Sequence, residues 1–426
     1  MNILIIGSGG REHAIALKLS ESENIKKIFI SPGNAGTLNV GVNVFLNINN
    51  FSEIIDFCKN NKVELVVIGP EVPLVNGLAN ELRKQDIYVF GPNKEAAEIE
   101  GNKKFAKELM KEYNIPTSNF KTFNKNDINK AKKYLETSKY PIVIKASGLA
   151  AGKGVIIAEK KEEAISAIEE IMQQKIFGNA GDEVVIEEFL EGEELSVFAI
   201  TDGEEYVLLP PAQDHKKIGE GDTGKNTGGM GAYAPLSFVN ESLITEIETN
   251  VVKPTLKALR SKNRKFNGCL YCGLINTKEG IKVIEFNCRF GDPETQAVLP
   301  LLVGDFFELL YSVAKGKINK NAVKYNGGAA MCVVTVSSGY PGKYDKGFKI
   351  KGLNEINDPN INVIHAGTKY ENGKILTNGG RVLNFIAFDK KNNLTKCKTM
   401  VYDAISKVKY NGIFFRRDIG FRALKN

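Results

Sequence analysis

No stretch of this 426-residue chain is apolar for long enough to cross a bilayer, and nothing at its start resembles a secretory leader. "MNILIIG" enters a strand-like run at once, without a basic segment, an apolar core or a small-residue cleavage site, so the expected setting is the cytoplasm. Six cysteines are too few for a disulfide scaffold at this length, and an intracellular setting keeps thiols reduced. The one C-x-x-C, Cys269 and Cys272, lies in the strand-like "NGCLYCGLINT". Residues three apart in a strand point to opposite faces, which speaks against a shared metal or a redox pair and for two buried small hydrophobes. Charge is not gathered into a tail or stripe: 57 Lys and Arg against 50 Asp and Glu leave +7, dispersed along the chain. That balance fits an anionic small substrate better than nucleic acid. Internal repeats and low-complexity tracts are absent.

What is present is alternation. Residues 1 to about 100 take strand-like and amphipathic stretches in turn ("NILIIG", "REHAIALKLSES", "KIFISPG", "FSEIIDFCKNN", "VELVVIGP"), the pattern of a parallel, Rossmann-like sheet covered by helices. A long helix is expected over "NKEAAEIEGNKKFAKELMKEY", stopping near Pro116. A second α/β unit follows, in which "YPIVIKAS" and "VIIAEKK" flank a glycine loop. Beyond about residue 184 the chain becomes strand-rich, with a hairpin expected to turn tightly at Asp202-Gly203. A third composition starts near residue 325, with strands "AAMCVVTVSS" and "RVLNFIAF" and a closing helix. The expected fold is therefore α/β and α+β in several domains.

"IKASGLAAGKGV", residues 144–155, imitates a Walker loop but is not one. Gly148 and Gly152 enclose three residues where a Walker loop has four, and Lys153 is followed by Gly154 rather than Ser or Thr. A glycine loop between two strands, with Lys145 leading in and Lys153 at its tip, can still fold over polyphosphate. "GSGGREH", residues 7–13, sits at a strand-to-helix turn suited to phosphate. A dinucleotide fingerprint would need Gly where Glu12 stands and an acid where "SPGNAGT" begins, so a phosphosugar site formed with Asn34, Gly36 and Thr37 fits better. In "KVIEFNCRFGDPETQ" strand alternation sends Ile284, Phe286 and Cys288 one way and Glu285, Asn287 and Arg289 the other. Glu285 and Asn287 are hard donors suited to magnesium, and Arg289 can hold a phosphoryl group or a carboxylate. "VIEEFLEGEE" ends a strand at Glu187, Glu188, Phe189 and Leu190, an exit that can meet an adenine edge while a carboxylate meets ribose. The long polar loop "QDHKKIGEGDTGKNTGGMGAYAP" carries Asp214, His215, Lys216 and Lys217.

Together with "GPEVPLVNGL", "HAGT" and "NGGRVL", these stretches make the chain resemble the phosphoribosylamine–glycine ligase family of the ATP-grasp superfamily over its whole length, with "RFGDPETQ" the most specific of them. The resemblance implies an N-terminal α/β substrate-binding domain (1–102), an ATP-grasp domain (103–325) with a small lid (about 121–188), and a C-terminal α+β domain (326–426). It implies ATP contacts at Lys103 or Lys104, Lys145, Lys153, Glu187 to Leu190 and Glu194, and magnesium or manganese at Glu285 and Asn287. Substrates are expected at Gly9, Gly10, Arg11, Asn34, Gly36, Thr37, Asp214, Lys216, Arg289 and Asp292, and catalysis at Lys145, Asp214, His215 and Arg289. The implied reaction joins glycine to 5-phosphoribosylamine at the expense of ATP, in a monomer that takes small molecules and neither nucleic acid nor membrane. One departure is visible: Ser147 stands where the family commonly has Asp before the lid glycine. Another ATP-grasp carboxylate–amine ligase would keep the nucleotide residues without "RFGDPETQ", and an oxidoreductase would have to bind NAD at "GSGGREH".

Overall fold

The computed structural model of the chain describes residues 1–150 and 154–424, so the expected role of Lys153 lies outside the described residues. Its first sheet is parallel, with Val42–Asn43, Lys27–Pro32, Asn2–Gly7, Val63–Ile68 and Tyr88–Phe90 side by side in that order. Both faces are covered, which is why the strands are apolar at successive positions. Ile3 and Ile5 enter one core while Leu4 and Ile6 enter the other.

The long helix expected after this sheet is two helices, Lys94–Gly101 and Lys103–Glu112. Asn102 leaves the helical region at φ −142°, ψ 97°, and its side-chain oxygen accepts the Phe105 N–H. A capping residue thus outweighs a continuous helical pattern and starts a new helix at Lys103.

An antiparallel sheet of Phe120–Asn124, Glu183–Glu188, Ile142–Ala146 and Val155–Ala158 follows, with a core of its own. A second antiparallel sheet, Tyr206–Leu208, Glu193–Thr201, Gly268–Thr277 and Gly280–Asn287, forms the floor opposite it. The tight turn expected at Asp202-Gly203 is instead a four-residue loop, because Thr201 pairs with Tyr206. The Asp202 carboxylate closes it by accepting the Glu204 and Glu205 N–H groups, each at 2.9 Å. Cys269 and Cys272 do face opposite cores, and all six cysteines are free and buried.

The last floor strand breaks its own alternation. Gly273 pairs with Glu285 but Leu274 pairs with Val283, so Ile284 is an extra residue in a β-bulge. Val283, Phe286 and Cys288 enter the core, whereas Ile284, expected on that same face, turns to the opposite side.

The fourth sheet runs Gln213–Asp214, Gly231–Ala234, Ala329–Val336, Arg381–Asp389 and Ile361–His365. Its first two strands precede residue 325, so the polar loop between them is anchored in the C-terminal sheet. No helix among the described residues is long and apolar enough to cross a membrane.

A seam joins the two ends of the chain. Asn34 donates to Ser8 O and His365 O at 2.9 Å each, and His13 Nδ1 accepts the His365 N–H at 2.9 Å. Burial lowers His13 to about 3, helped by His365, and lowers His365 and His215 to about 4. In the unfolded chain these groups titrate near 6.5, so the unfolded state binds the extra protons below that pH. Stability is then intact above pH 6.5 and is lost as pH falls towards 4, by about 2 kcal/mol per histidine between pH 6.5 and 5. The midpoint of urea unfolding should therefore drop between pH 7 and 5. In His13→Asn, which keeps an acceptor near the Nδ1 position without a titrating ring, the loss of stability behind that drop should be smaller by about 2 kcal/mol. An unchanged drop would show that the His13 imidazole titrates normally in the fold.

Candidate active site

A cavity of about 390 Å³ lies between the two antiparallel sheets and the polar loop. Val143, Ile157, Phe189, Leu190, Ile275 and Ile284 form its apolar part, and Glu194, Asp214, Lys216, Glu285, Asn287, Arg289, Asp292 and Glu294 its polar part. A smaller cavity of about 140 Å³ shares Lys145, Glu187, Glu285, Asn287 and Arg289 with it and adds Lys103 and Lys107. An apolar slot running into clustered cations and carboxylates suits a flat base carrying a charged tail.

The helix break at Asn102 decides which of two lysines faces this space. Lys103 borders the smaller cavity, its Nζ donating to Gly148 O at 3.2 Å. Burial lowers its pKa, against the Glu285 charge, which raises it. Lys104 turns outward to Glu183 at 2.6 Å. Ser147 ties this helix start to the glycine loop: its Oγ accepts the Lys104 N–H and donates to Asn102 Oδ1, both at 3.1 Å.

Glu187 is buried, and its carboxylate is taken by Lys107 at 2.7 Å and Lys145 at 3.0 Å. Burial alone would raise it, but these two charges hold it down at about 2. Glu188 is likewise engaged, accepting the Asn119 N–H and Nδ2, each at 2.9 Å. Both carboxylates thus have protein partners, and the Phe189 and Leu190 side chains line the slot beside them.

Glu285 shows the same balance. Burial pushes it up, yet Lys216, Lys145, Lys103 and Arg289 together hold it below the ordinary carboxylate range. Among the described residues no three His, Cys, Asp or Glu side chains converge as a metal site. Glu285 and Asn287 supply two hard oxygens, a donor set that fits a cation taking its remaining ligands from phosphate and water. Arg289 is fixed from behind, with Nη2 on Glu100 at 2.9 Å and on Asn287 Oδ1 at 3.2 Å, and Nε 3.4 Å from Glu71. Asp214 is raised, first by burial and then by Glu294, Glu194 and Glu285, while Lys216 opposes the shift. Lys216 pairs with Glu194 at 2.9 Å.

The N-terminal turn is placed differently from the cavity-lining residues. Glu12 takes the Gly9 N–H at 2.7 Å and Arg11 Nε at 2.6 Å, so a carboxylate occupies the turn where a pyrophosphate would rest. Asn34 Oδ1 accepts the Gly36 and Thr37 N–H groups, and Arg11 donates to Phe290 O at 3.1 Å. Gly9, Gly10, Arg11, Asn34, Gly36 and Thr37 are gathered in one place, but none lines the 390 Å³ cavity. The link between the two is Asp292, which lines the cavity and lies 3.5 Å from where a Gly9 Cβ would stand.

His215 does not line the cavity either. Its ring packs against Tyr233 and Phe421, and Nε2 accepts the Gly420 N–H at 3.2 Å. Alternation puts Asp214 and Lys216 at the cavity and turns His215 away from it.

Sequence reasoning passed over several residues here. Arg381 donates to Asp292 O at 2.9 Å and pairs with Asp292 Oδ2 at 3.1 Å, and it also holds Gly228 O. Its signal was the "NGGRVL" stretch, noted without a role. Glu71 lay in "GPEVPLVNGL", noted without a role, while Lys107 and Glu100 carried no signal, since each reads as an ordinary charge on an amphipathic helix. Tyr271 and Ser196, both bonded to Glu294 Oε1, were hidden among strand residues.

Three family models match the chain: the N domain of phosphoribosylglycinamide synthetase over residues 1–100, its ATP-grasp (A) domain over 101–295 and its C domain over 330–422. A phosphoribosylamine–glycine ligase of Halalkalibacterium halodurans is 46% identical over 424 residues, spanning 100% of this chain and 97% of the relative. The trifunctional purine biosynthetic protein adenosine-3 of Gallus gallus is 45% identical over 99% of this chain, which matches 42% of that longer protein. Among solved structures, phosphoribosylamine–glycine ligase of Thermotoga maritima superposes with a TM-score of 0.85 at 32% identity, covering 99% of this chain and 100% of that one. A biotin carboxylase of Campylobacter jejuni superposes with a TM-score of 0.74 at 16% identity over 100% of this chain and 95% of the other, a likeness of fold alone.

The geometry of His215 yields a test. His215→Gln keeps an acceptor near Nε2 and should retain turnover within about threefold of the parent while lowering the melting temperature by a few degrees. A loss on the order of 100-fold with an unchanged melting temperature would instead place the imidazole in the reaction.

Proposed function

The chain belongs to the phosphoribosylglycinamide synthetase family, and from that premise we propose how its own residues share the work of the reaction. The protein is an ADP-forming carbon–nitrogen ligase that joins glycine to 5-phosphoribosylamine, a step of de novo purine biosynthesis. It uses ATP with a divalent metal. The observation that carries the residue assignments is the meeting of an apolar slot with Lys103, Lys145, Glu285, Asn287 and Arg289 at one cavity system.

In our reading adenine lies in the slot of Val143, Ile157, Phe189 and Leu190, Glu194 takes the ribose, and Lys103 and Lys145 meet the phosphates. Glu285 and Asn287 hold the metal, which we take to be magnesium or manganese and which neutralises phosphate charge when bound. Arg289 and Asp292 orient glycine. The glycine carboxylate oxygen attacks the γ-phosphorus, giving glycyl phosphate and ADP. The amine of 5-phosphoribosylamine then attacks the acyl carbon, the C–O bond to phosphate breaks, and the amine proton passes to Asp214. Burial among carboxylates raises Asp214, which makes it a better proton acceptor than an ordinary aspartate. The lysines and Arg289 stabilise the charge of the transferring phosphoryl group, and a closed cavity keeps water from the acyl phosphate.

The turn of Gly9, Gly10 and Arg11 with Asn34, Gly36 and Thr37 forms the wall toward which we place the phosphoribosyl group, reached through Asp292. The assignments follow the division into 1–102, 103–325 with a lid at about 121–188, and 326–426. We take the enzyme to act as a monomer on small molecules, and the cytoplasm suits its diffusible substrates.

Sustained ADP release should require ATP, glycine and 5-phosphoribosylamine together and stop when any one is omitted. Equal turnover with alanine in place of glycine would overturn the glycine assignment. Glu285→Ala should lower turnover on the order of 100-fold or more, with partial recovery at raised metal concentration and an unchanged circular dichroism spectrum. Parent-like activity would remove Glu285 from the metal site.

A further inference from the structure

Lys107 belongs to no expected site, yet its ammonium has three polar partners within the protein. It lies one turn after Lys103 on the same face of helix Lys103–Glu112 and is buried. Its Nζ reaches Glu187 Oε2 at 2.7 Å, Thr117 Oγ1 at 2.6 Å and Ser118 Oγ at 2.8 Å. The two hydroxyls take two of its three N–H groups and Glu187 is its ion-pair partner, so its charge is already engaged within the protein.

Its influence has to pass through Glu187. That carboxylate receives Lys107 and the Ser118 hydroxyl, at 2.7 Å each, on Oε2 and presents Oε1 to Lys145 Nζ at 3.0 Å. Lys145 also donates to the carbonyl of the bulged Ile284 at 3.1 Å. The Ile284 carbonyl takes one N–H and the Glu187 charge holds the ammonium in place, which leaves N–H groups for the cavity that Lys145 lines. One carboxylate shared between two ammonium groups binds each of them less tightly than it would bind one.

We propose that Lys107 is a positioning residue for the ATP phosphates, acting through Glu187 on Lys145. It divides the charge of Glu187, so that Lys145 is located by that carboxylate without being neutralised by it. This rests on the reading of Lys145 as a phosphate contact, and the test separates the two. With Lys107 removed, Glu187 would pair with Lys145 alone, and phosphate would have to compete with a full carboxylate.

Calorimetric binding of magnesium-ADP and of adenosine would be compared in the parent, Lys107→Met, Lys145→Met and the double variant Lys107→Met/Glu187→Gln, which removes one charge of each sign. Lys107→Met should weaken ADP by about tenfold or more and leave adenosine within about twofold, and the double variant should regain part of the loss. Parent-like ADP binding in Lys107→Met, with loss in Lys145→Met, would overturn this inference alone. Parent-like ADP binding in Lys145→Met would overturn the phosphate reading and the inference with it. An equal loss of ADP and adenosine would show a merely structural lysine.

Discussion

A site that receives a polyphosphate must bury cations before the anion arrives, and an unpaired buried ammonium carries a desolvation cost of several kcal/mol. The molecule meets that constraint by giving most of these cations a carboxylate, and Lys103 the Gly148 carbonyl. Lys107 and Lys145 share Glu187, Lys216 has Glu194, and Arg289 has Glu100 and Glu71. The pairing also decides what a ligand can do there. Phosphate competes with carboxylates already in place, so the site favours a ligand whose charge exceeds theirs or which brings a metal of its own. In the proposed metal site the same logic applies: Glu285 and Asn287 alone would be too few to hold a cation firmly and would suffice once phosphate oxygens completed the shell.

The same economy of groups ties the three parts of the chain together. The polar loop that carries Asp214 and Lys216 is held in the C-terminal sheet, and Arg381 from that sheet grips both Gly228 of the loop and Asp292 of the floor. Asp292 in turn approaches the N-terminal turn at Gly9. Movement of the C-terminal sheet would therefore shift the loop and the Asp292 wall together. The neutral His13 and His365 pair lies at the same seam, where a single backbone N–H to Nδ1 bond joins residues far apart in sequence.

Much of this was legible in the sequence, and the failures have physical causes. Strand alternation in "NGCLYCGLINT" correctly separated the two cysteines, because nothing interrupts that strand. The same rule applied to "KVIEFNCRF" misplaced Ile284, because a bulge adds one residue and pairing with the partner strand is invisible in a single segment. Helical periodicity ran unbroken through Asn102, where a side-chain cap made a new start, and that break is what turns Lys103 inward and Lys104 out. Glu187 lines both cavities as its position at a strand exit suggested, but its ion pairs were not legible there. Its partner Lys107 lies 80 positions away, and only the fold brings them together. The expected catalytic role of His215 rested on residue type within a polar loop, and the fold turns its ring into packing against Tyr233 and Phe421.

The bulge at Ile284 shows how small a backbone change can organise a site. Were the same sequence a regular strand without the bulge, Val283 and Glu285 would share one face, and that apolar residue would be driven toward the cavity or the carboxylate toward the core. The bulge lets Val283 and Phe286 both remain in the core while Ile284 and Glu285 both face the cavity. It also presents the Ile284 carbonyl to Lys145 at 3.1 Å, so one irregularity sets an apolar wall, a carboxylate and a lysine anchor together. The likeness to biotin carboxylase at 16% identity shows that the architecture of sheets is general. What distinguishes this chain is which side chains such local features turn toward the cavity, since a fold of this kind supports different chemistry according to the groups it presents.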